Sequence, residues 1–201
     1  MSTRKIALVS GGLVLALVLA GCAGATTMGD HSATTTPAPD STYADASHNE
    51  ADVAFAMDMI VHHEQAIDMA AVLLEKDGVD ERVVELARAI QEAQEPEITT
   101  MTAWLDAWGE PAGSDEMDGM EGMDHGSTMS DDDMDALASA SGAEASRLFL
   151  KQMTVHHEGA IEMAQEELDA GENVDAVTLA QKIIDDQTAE ITVMSDLLGE
   201  L

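Results

Sequence analysis

Residues 55–70 read FAMDMIVHHEQAIDMA, and residues 149–164 read FLKQMTVHHEGAIEMA, an offset of 94. Phenylalanine, methionine, Val-His-His-Glu, Ala-Ile and Met-Ala recur in register. At about 100° per residue, Phe55, Met59, His62, Ala66, Met69, Ala70 and Leu73 share one stripe. Each copy is therefore expected to be a helix that buries one face. His62 lies mid-stripe and His63 at its edge, with His156 and His157 in the same places in the second copy. Glu64 and Glu158 turn away from the stripe.

The similarity runs on past the histidines. Residues 87–105, ARAIQEAQEPEITTMTAWL, match residues 180–198, AQKIIDDQTAEITVMSDLL, at an offset of 93. Gln94 aligns with Gln187, Glu97 with Glu190, Met101 with Met194 and Leu105 with Leu198. The repeating unit is thus a pair of helices. Neither pair can bury its stripe alone, so the two are expected to dock. The fold class that follows is all-α: a four-helix bundle of two repeated helical hairpins related by a pseudo-twofold axis.

Boundaries follow from caps and breakers. The first helix is expected from a capping box at Ser47 and Glu50 to about Lys76, closed by Asp77-Gly78. The second runs from about Asp80 to Trp108, with the stripe Val83, Ala87, Ile90, Gln94, Ile98, Met101 and Leu105. Pro96 falls inside it and predicts a kink. Residues 110–142 form a Met-, Asp- and Gly-rich linker, with a short helix over 131–139 capped by Ser130, facing Met134 and Leu137 inward and broken by Gly142. The third long helix is expected over 143–170 and the fourth from about Asn173 to Leu198, ending at Gly199.

Ahead of the first hairpin (47–109) and the second (143–201) lie two other segments. Residues 1–21 have a basic start, an apolar run and small residues at the end, the pattern of a secretory leader. Leu19-Ala20-Gly21-Cys22 resembles a bacterial lipobox, which makes Cys22, the single cysteine, the expected site of lipidation. Residues 22–46 are rich in Thr, Ala, Ser and Asp without periodicity and read as a disordered tether. The expected location is the outer face of a bacterial membrane, held by a lipid anchor. The chain carries 8 basic against 40 acidic residues. Such a balance excludes nucleic acid as a partner, because phosphate binding needs Lys and Arg.

Helical spacing puts Met59, His62 and His63 within mutual reach, with Met69 further along the same face. Met153, His156, His157 and Met163 repeat the set, and Met101 and Met194 enter from the partner helices. Thioether sulfur is soft and imidazole borderline, so Met with His suits Cu(I) or Ag(I). Hard ions want oxygen clusters, and structural zinc usually recruits cysteine. The competing reading is plain core packing: methionine fills gaps, and a buried histidine usually hydrogen-bonds, here to Gln94 or Glu97. A flexible linker has no core to fill, which makes Met117, Met120, Met123, His125 and Met129 a second candidate copper set. Calcium at Asp115, Asp118 and Asp124 is the alternative there.

The doubled Met-x-x-His-His-Glu-x-Ala-Ile-x-Met-Ala, each copy followed by Gln-x-x-Glu-Ile-x-x-Met, resembles domain-of-unknown-function family 305 over roughly residues 47–198. That resemblance implies a ferritin-like four-helix bundle, secreted or membrane-anchored, with some members periplasmic copper-binding proteins. It points to the same Met and His positions. The chain departs from the family pattern at Pro96 and at Ala145-Ser146, where Phe-Asp is frequent.

The function expected is non-enzymatic: an envelope-anchored protein that sequesters or shuttles Cu(I) or silver. Metal ions and the membrane are the expected partners, with a second copy of the chain or a copper-handling protein as further candidates. A pH-sensing helical bundle is the alternative. A ferritin-like di-metal oxidase fits less well, because it needs Glu-x-x-His motifs that the sequence lacks.

Overall fold

The computed structural model describes residues 47–111 and 128–201. Five helices and no strands occur among them: α1 (Glu50–Leu74), α2 (Glu81–Trp108), α3 (Asp131–Ser139), α4 (Gly142–Ala170) and α5 (Val174–Glu200). The leader, Cys22, the tether up to residue 46 and the linker residues Met117, Met120, Met123 and His125 lie outside the described residues. Among the described residues no helix is long and apolar enough to cross a membrane.

The helix ends refine the expected boundaries. The capping box of α1 sits two residues later than Ser47 and Glu50. The Asn49 side chain accepts from Ala51 N at 2.7 Å and Asp52 N at 3.1 Å, while Asp52 Oδ2 accepts from Asn49 N at 2.6 Å. Asp52 is preferred because its carboxylate has a second task. It accepts from Glu172 N at 3.1 Å and from Asn173 N at 2.8 Å, tying the start of α1 to the α4–α5 turn.

Pro96 lies inside α2, which runs on through it to Trp108. Both Pro96 and Glu92, whose carbonyl loses its partner, are exposed, so water can satisfy the freed group. Gly142 does not break a helix but opens α4, and the extended backbone lies at Ala140 and Ser141. Its φ of +53 belongs to the left-handed region, and a Cβ there would meet the Gly78 carbonyl oxygen at 3.3 Å. The α1–α2 turn and the α3–α4 junction are thus pressed together at a pair of glycines. Gly199 does not end α5, which continues to Glu200.

α1 packs on α2 and α4 on α5. The two pairs join chiefly through α1 against α4, the helices that carry the paired histidines, while α3 lies on α1 and α4. The apolar core has two parts. One contains Leu73, Val83, Ile90, Leu137, Phe149, Met153 and Met194. The other contains Phe55, Met59, Met101, Trp104, Ala160, Ala180 and Ile183. Along α1 the boundary between them falls at residues 62–63, along α4 at 156–157, along α2 at 94–97 and along α5 at 187–190. A polar layer therefore crosses the helices at mid-height.

Candidate metal centre

Every long helix contributes to that layer. His62, His63, His156 and His157 come from α1 and α4, Gln94 and Glu97 from α2, and Gln187 and Glu190 from α5. All are buried except Glu190, which is half-buried. His63 and His157, placed at the edge of the stripe by the helical period, are fully covered, because α2 and α5 overlie them.

At the centre, the rings of His62 and His156 lie 3.6 Å apart between centroids at 37°. Outside them, His63 Nε2 meets Glu97 Oε2 at 2.8 Å, and His157 Nε2 meets Glu190 Oε2 at 2.6 Å. A carboxylate accepts and never donates when ionised, so Nε2 carries the proton in both rings. Burial pushes the Glu97 carboxyl up, but hydrogen bonds from His63 and Lys182 outweigh it and hold the group below its ordinary value. In the neutral ring that tautomer leaves the lone pair on Nδ1. The Nδ1 atoms of His63 and His157 are buried with no hydrogen-bond partner. Neither ring nitrogen of His156 has one, nor does either side-chain polar atom of Gln94 or Oε1 of Gln187. Burial, reinforced by the neighbouring His62, His157 and His63, pushes His156 well below the usual imidazole range and keeps it neutral. Buried polar atoms without partners cost stability and call for an explanation such as water or an ion.

The methionines fall into two groups. Met59, Met101, Met153 and Met194 are fully buried. Met59 and Met101 belong to one core part, Met153 and Met194 to the other, so sulfur flanks the polar layer on both sides. The Met194 sulfur accepts from Thr154 Oγ1 at 3.8 Å. Met69 and Met163 follow His62 and His156 by seven residues, about 10 Å along a helix. Met69 is fully buried among apolar side chains, whereas Met163 is half-buried and lines a cleft of about 160 Å³ beside Phe55, Asp58 and Glu167. Met129 does not sit in a free linker. Its backbone N–H donates to Gln65 Oε1 at 2.6 Å, its carbonyl accepts from Gln65 Nε2 at 2.9 Å, and its side chain packs on the core. Core packing accounts for this methionine.

Among the described residues no three His, Cys, Asp or Glu side chains converge on one ion position. An ion in this layer therefore needs thioether sulfur or few ligands, conditions that favour a soft monovalent cation.

The family model "Domain of unknown function (DUF305)" matches residues 52–198. The chain belongs to the DUF305 family. No curated protein matches it. Among solved structures, a DUF305 protein of Streptomyces coelicolor, assigned to secretion by inference, is 35% identical with a TM-score of 0.66, covering 75% of this chain and 91% of that one. A DUF305 fragment from Deinococcus radiodurans is 32% identical with a TM-score of 0.65, covering 76% and 98%. CopM in its Cu(II)-bound form is 34% identical with a TM-score of 0.63, covering 74% and 96%. CopM has also been solved with Cu(I), with silver and in the apo form.

Proposed function

We propose that this DUF305 protein is a non-enzymatic metal-binding protein that sequesters or shuttles Cu(I) or Ag(I) at the cell envelope. Its fold is a ferritin-like four-helix bundle of two helical hairpins, and the polar layer between the hairpins is the binding site. His62, His63, His156 and His157 supply nitrogen, and Met59, Met101, Met153 and Met194 supply sulfur. Met69 and Met163 belong to the approach rather than the centre. Met117, Met120, Met123 and His125 form a second, linker-borne set that hands ions to the core. Cys22 carries the lipid anchor.

The observation that supports this reading best is the state of the imidazoles. Two of them donate Nε2–H to a carboxylate and keep a buried, partnerless Nδ1. An imidazole oriented by a carboxylate is the arrangement that metal-ligating histidines ordinarily show. Metal binding to CopM, a relative at 34% identity, agrees with it.

The test is titration with Cu(I) against a competing chelator, on the wild-type chain and on variants with His156→Ala or with His63→Ala and His157→Ala. The wild type should take up Cu(I), His156→Ala should bind at least about tenfold more weakly, about 1.4 kcal/mol, and the double variant weaker still. A linker variant with Met117, Met120 and Met123 changed to Leu should keep the core affinity and lose stoichiometry. Wild-type protein that fails to compete for Cu(I) and Ag(I) would sink the reading.

A further inference from the structure

The two imidazole–carboxylate pairs look equivalent in sequence and are not equivalent in space. Glu97 uses both oxygens: Oε2 accepts from His63, and Oε1 accepts from Lys182 Nζ at 2.9 Å. Lys182 projects from α5 and is held in place by Asp186, one turn further on, at 2.6 Å. It crosses from the second hairpin to the first, so the contact bridges α5 to α2 beside the His63–Glu97 pair. At the offset of the repeat, the first hairpin has Ala89 where the second has Lys182, and Ala93 where it has Asp186. Alanine cannot reach across to Glu190. The Glu190 side chain is 22% exposed against 10% for Glu97.

We infer that Lys182 makes the bundle one-sided: it closes the His63–Glu97 pair, and ions enter and leave the polar layer past Glu190 and His157. The inference rests on the proposed binding site and adds the direction of traffic through it. The chemistry is simple. A cation approaching Glu97 meets an ammonium already salt-bridged there and is repelled. A cation approaching Glu190 meets a partly exposed carboxylate, within a chain of strong negative charge, that can take it up and pass it to the imidazole behind. Lys182 is a positioning residue and touches no ion itself.

The experiment follows the ring nitrogens of the full chain, labelled with ¹⁵N, by NMR during titration with Ag(I), which is diamagnetic. Below one equivalent the His157 resonances should shift before those of His63. Lys182→Ala should abolish that order, and Lys182→Arg should restore it. Ala89→Lys, at an exposed position, should slow uptake several-fold. In the metal-free chain the Nε2–H of His157 should exchange with solvent several-fold faster than that of His63. His63 shifting first or together with His157 in the wild type, or the order surviving in Lys182→Ala, overturns the one-sided entry while leaving metal binding intact. No shift of any imidazole at excess Ag(I) overturns the binding site and the entry route with it.

Discussion

The two hairpins differ most where each one's first helix meets the far turn. In one, Asp52 reaches from α1 to the α4–α5 turn and accepts from Glu172 N and Asn173 N. In the other, Ser146 reaches from α4 to the α1–α2 turn, and its hydroxyl accepts from Asp80 N at 3.1 Å. The positions are related by the repeat, so one device is made once with a carboxylate and once with a hydroxyl. Ser146 is one of the two departures from the family pattern, and its buried hydroxyl keeps the contact without the charge. The neighbours differ to match. Beside Asp52 lies Glu167, 1% exposed, where the other hairpin has Leu73. Burial, with Asp52 adding to it, pushes Glu167 up to about 8. A neutral Glu167 lets two carboxyl groups share one buried place. The comparison teaches that a repeat conserves contacts more strictly than chemistry.

The largest effect is expected from a second difference between the halves, Pro96 against Ala189. Pro96→Ala restores a backbone hydrogen bond on an exposed helix face and should stabilise the protein by about 2 kcal/mol, after allowance for a more flexible unfolded chain. Urea unfolding measures it, and a neutral or destabilising result would show that Pro96 serves the packing of α2.

Next come the two turn contacts. Asp52→Ala removes the capping box and the acceptor for two turn amides, and should cost about 1.5 kcal/mol. Ser146→Ala loses one neutral hydrogen bond and should cost about 1 kcal/mol. Equal costs in urea unfolding would mean that the carboxylate adds nothing to the contact.

A further difference is a pH dependence confined to one end. The folded-state pKa of Glu167 lies above its ordinary value of 4.5. The folded protein therefore binds the proton more tightly, and stability is lost as pH rises from about 4.5 through about 8. Melting temperature should drop by a few degrees between pH 6 and pH 9. Glu167→Gln should remove that drop, and Ser146→Ala should leave it unchanged. A drop that persists in Glu167→Gln would assign it to another group.

Much of the fold was written in periodicity. The stripe of α1 is buried as expected at Phe55, Met59, His62, Ala66, Met69, Ala70 and Leu73, and the paired repeat marks all four long helices. The pattern was less informative about polar residues near a stripe. Ile98 was expected inside α2, but Glu97 and Trp104 are the buried neighbours and Ile98 is half-buried. The recurrence of Glu97 as Glu190, each opposite a repeated histidine, was the signal that could have placed both carboxylates in the layer. Met129 carried no such signal, since its docking depends on Gln65, 64 residues away.

Sequence alone therefore determined the helices, the doubling and the identity of the histidine stretch, because helical periodicity and repeat register are properties of neighbours along the chain. Tertiary structure alone decided that His62 and His156 meet, that His63 and His157 are covered and oriented by carboxylates, and that Lys182 bridges to Glu97 on one side. Those outcomes depend on which helix lies over which. A carboxylate or ammonium beside an apolar stripe is solvated on an isolated helix, and only docking removes the water and supplies the partner.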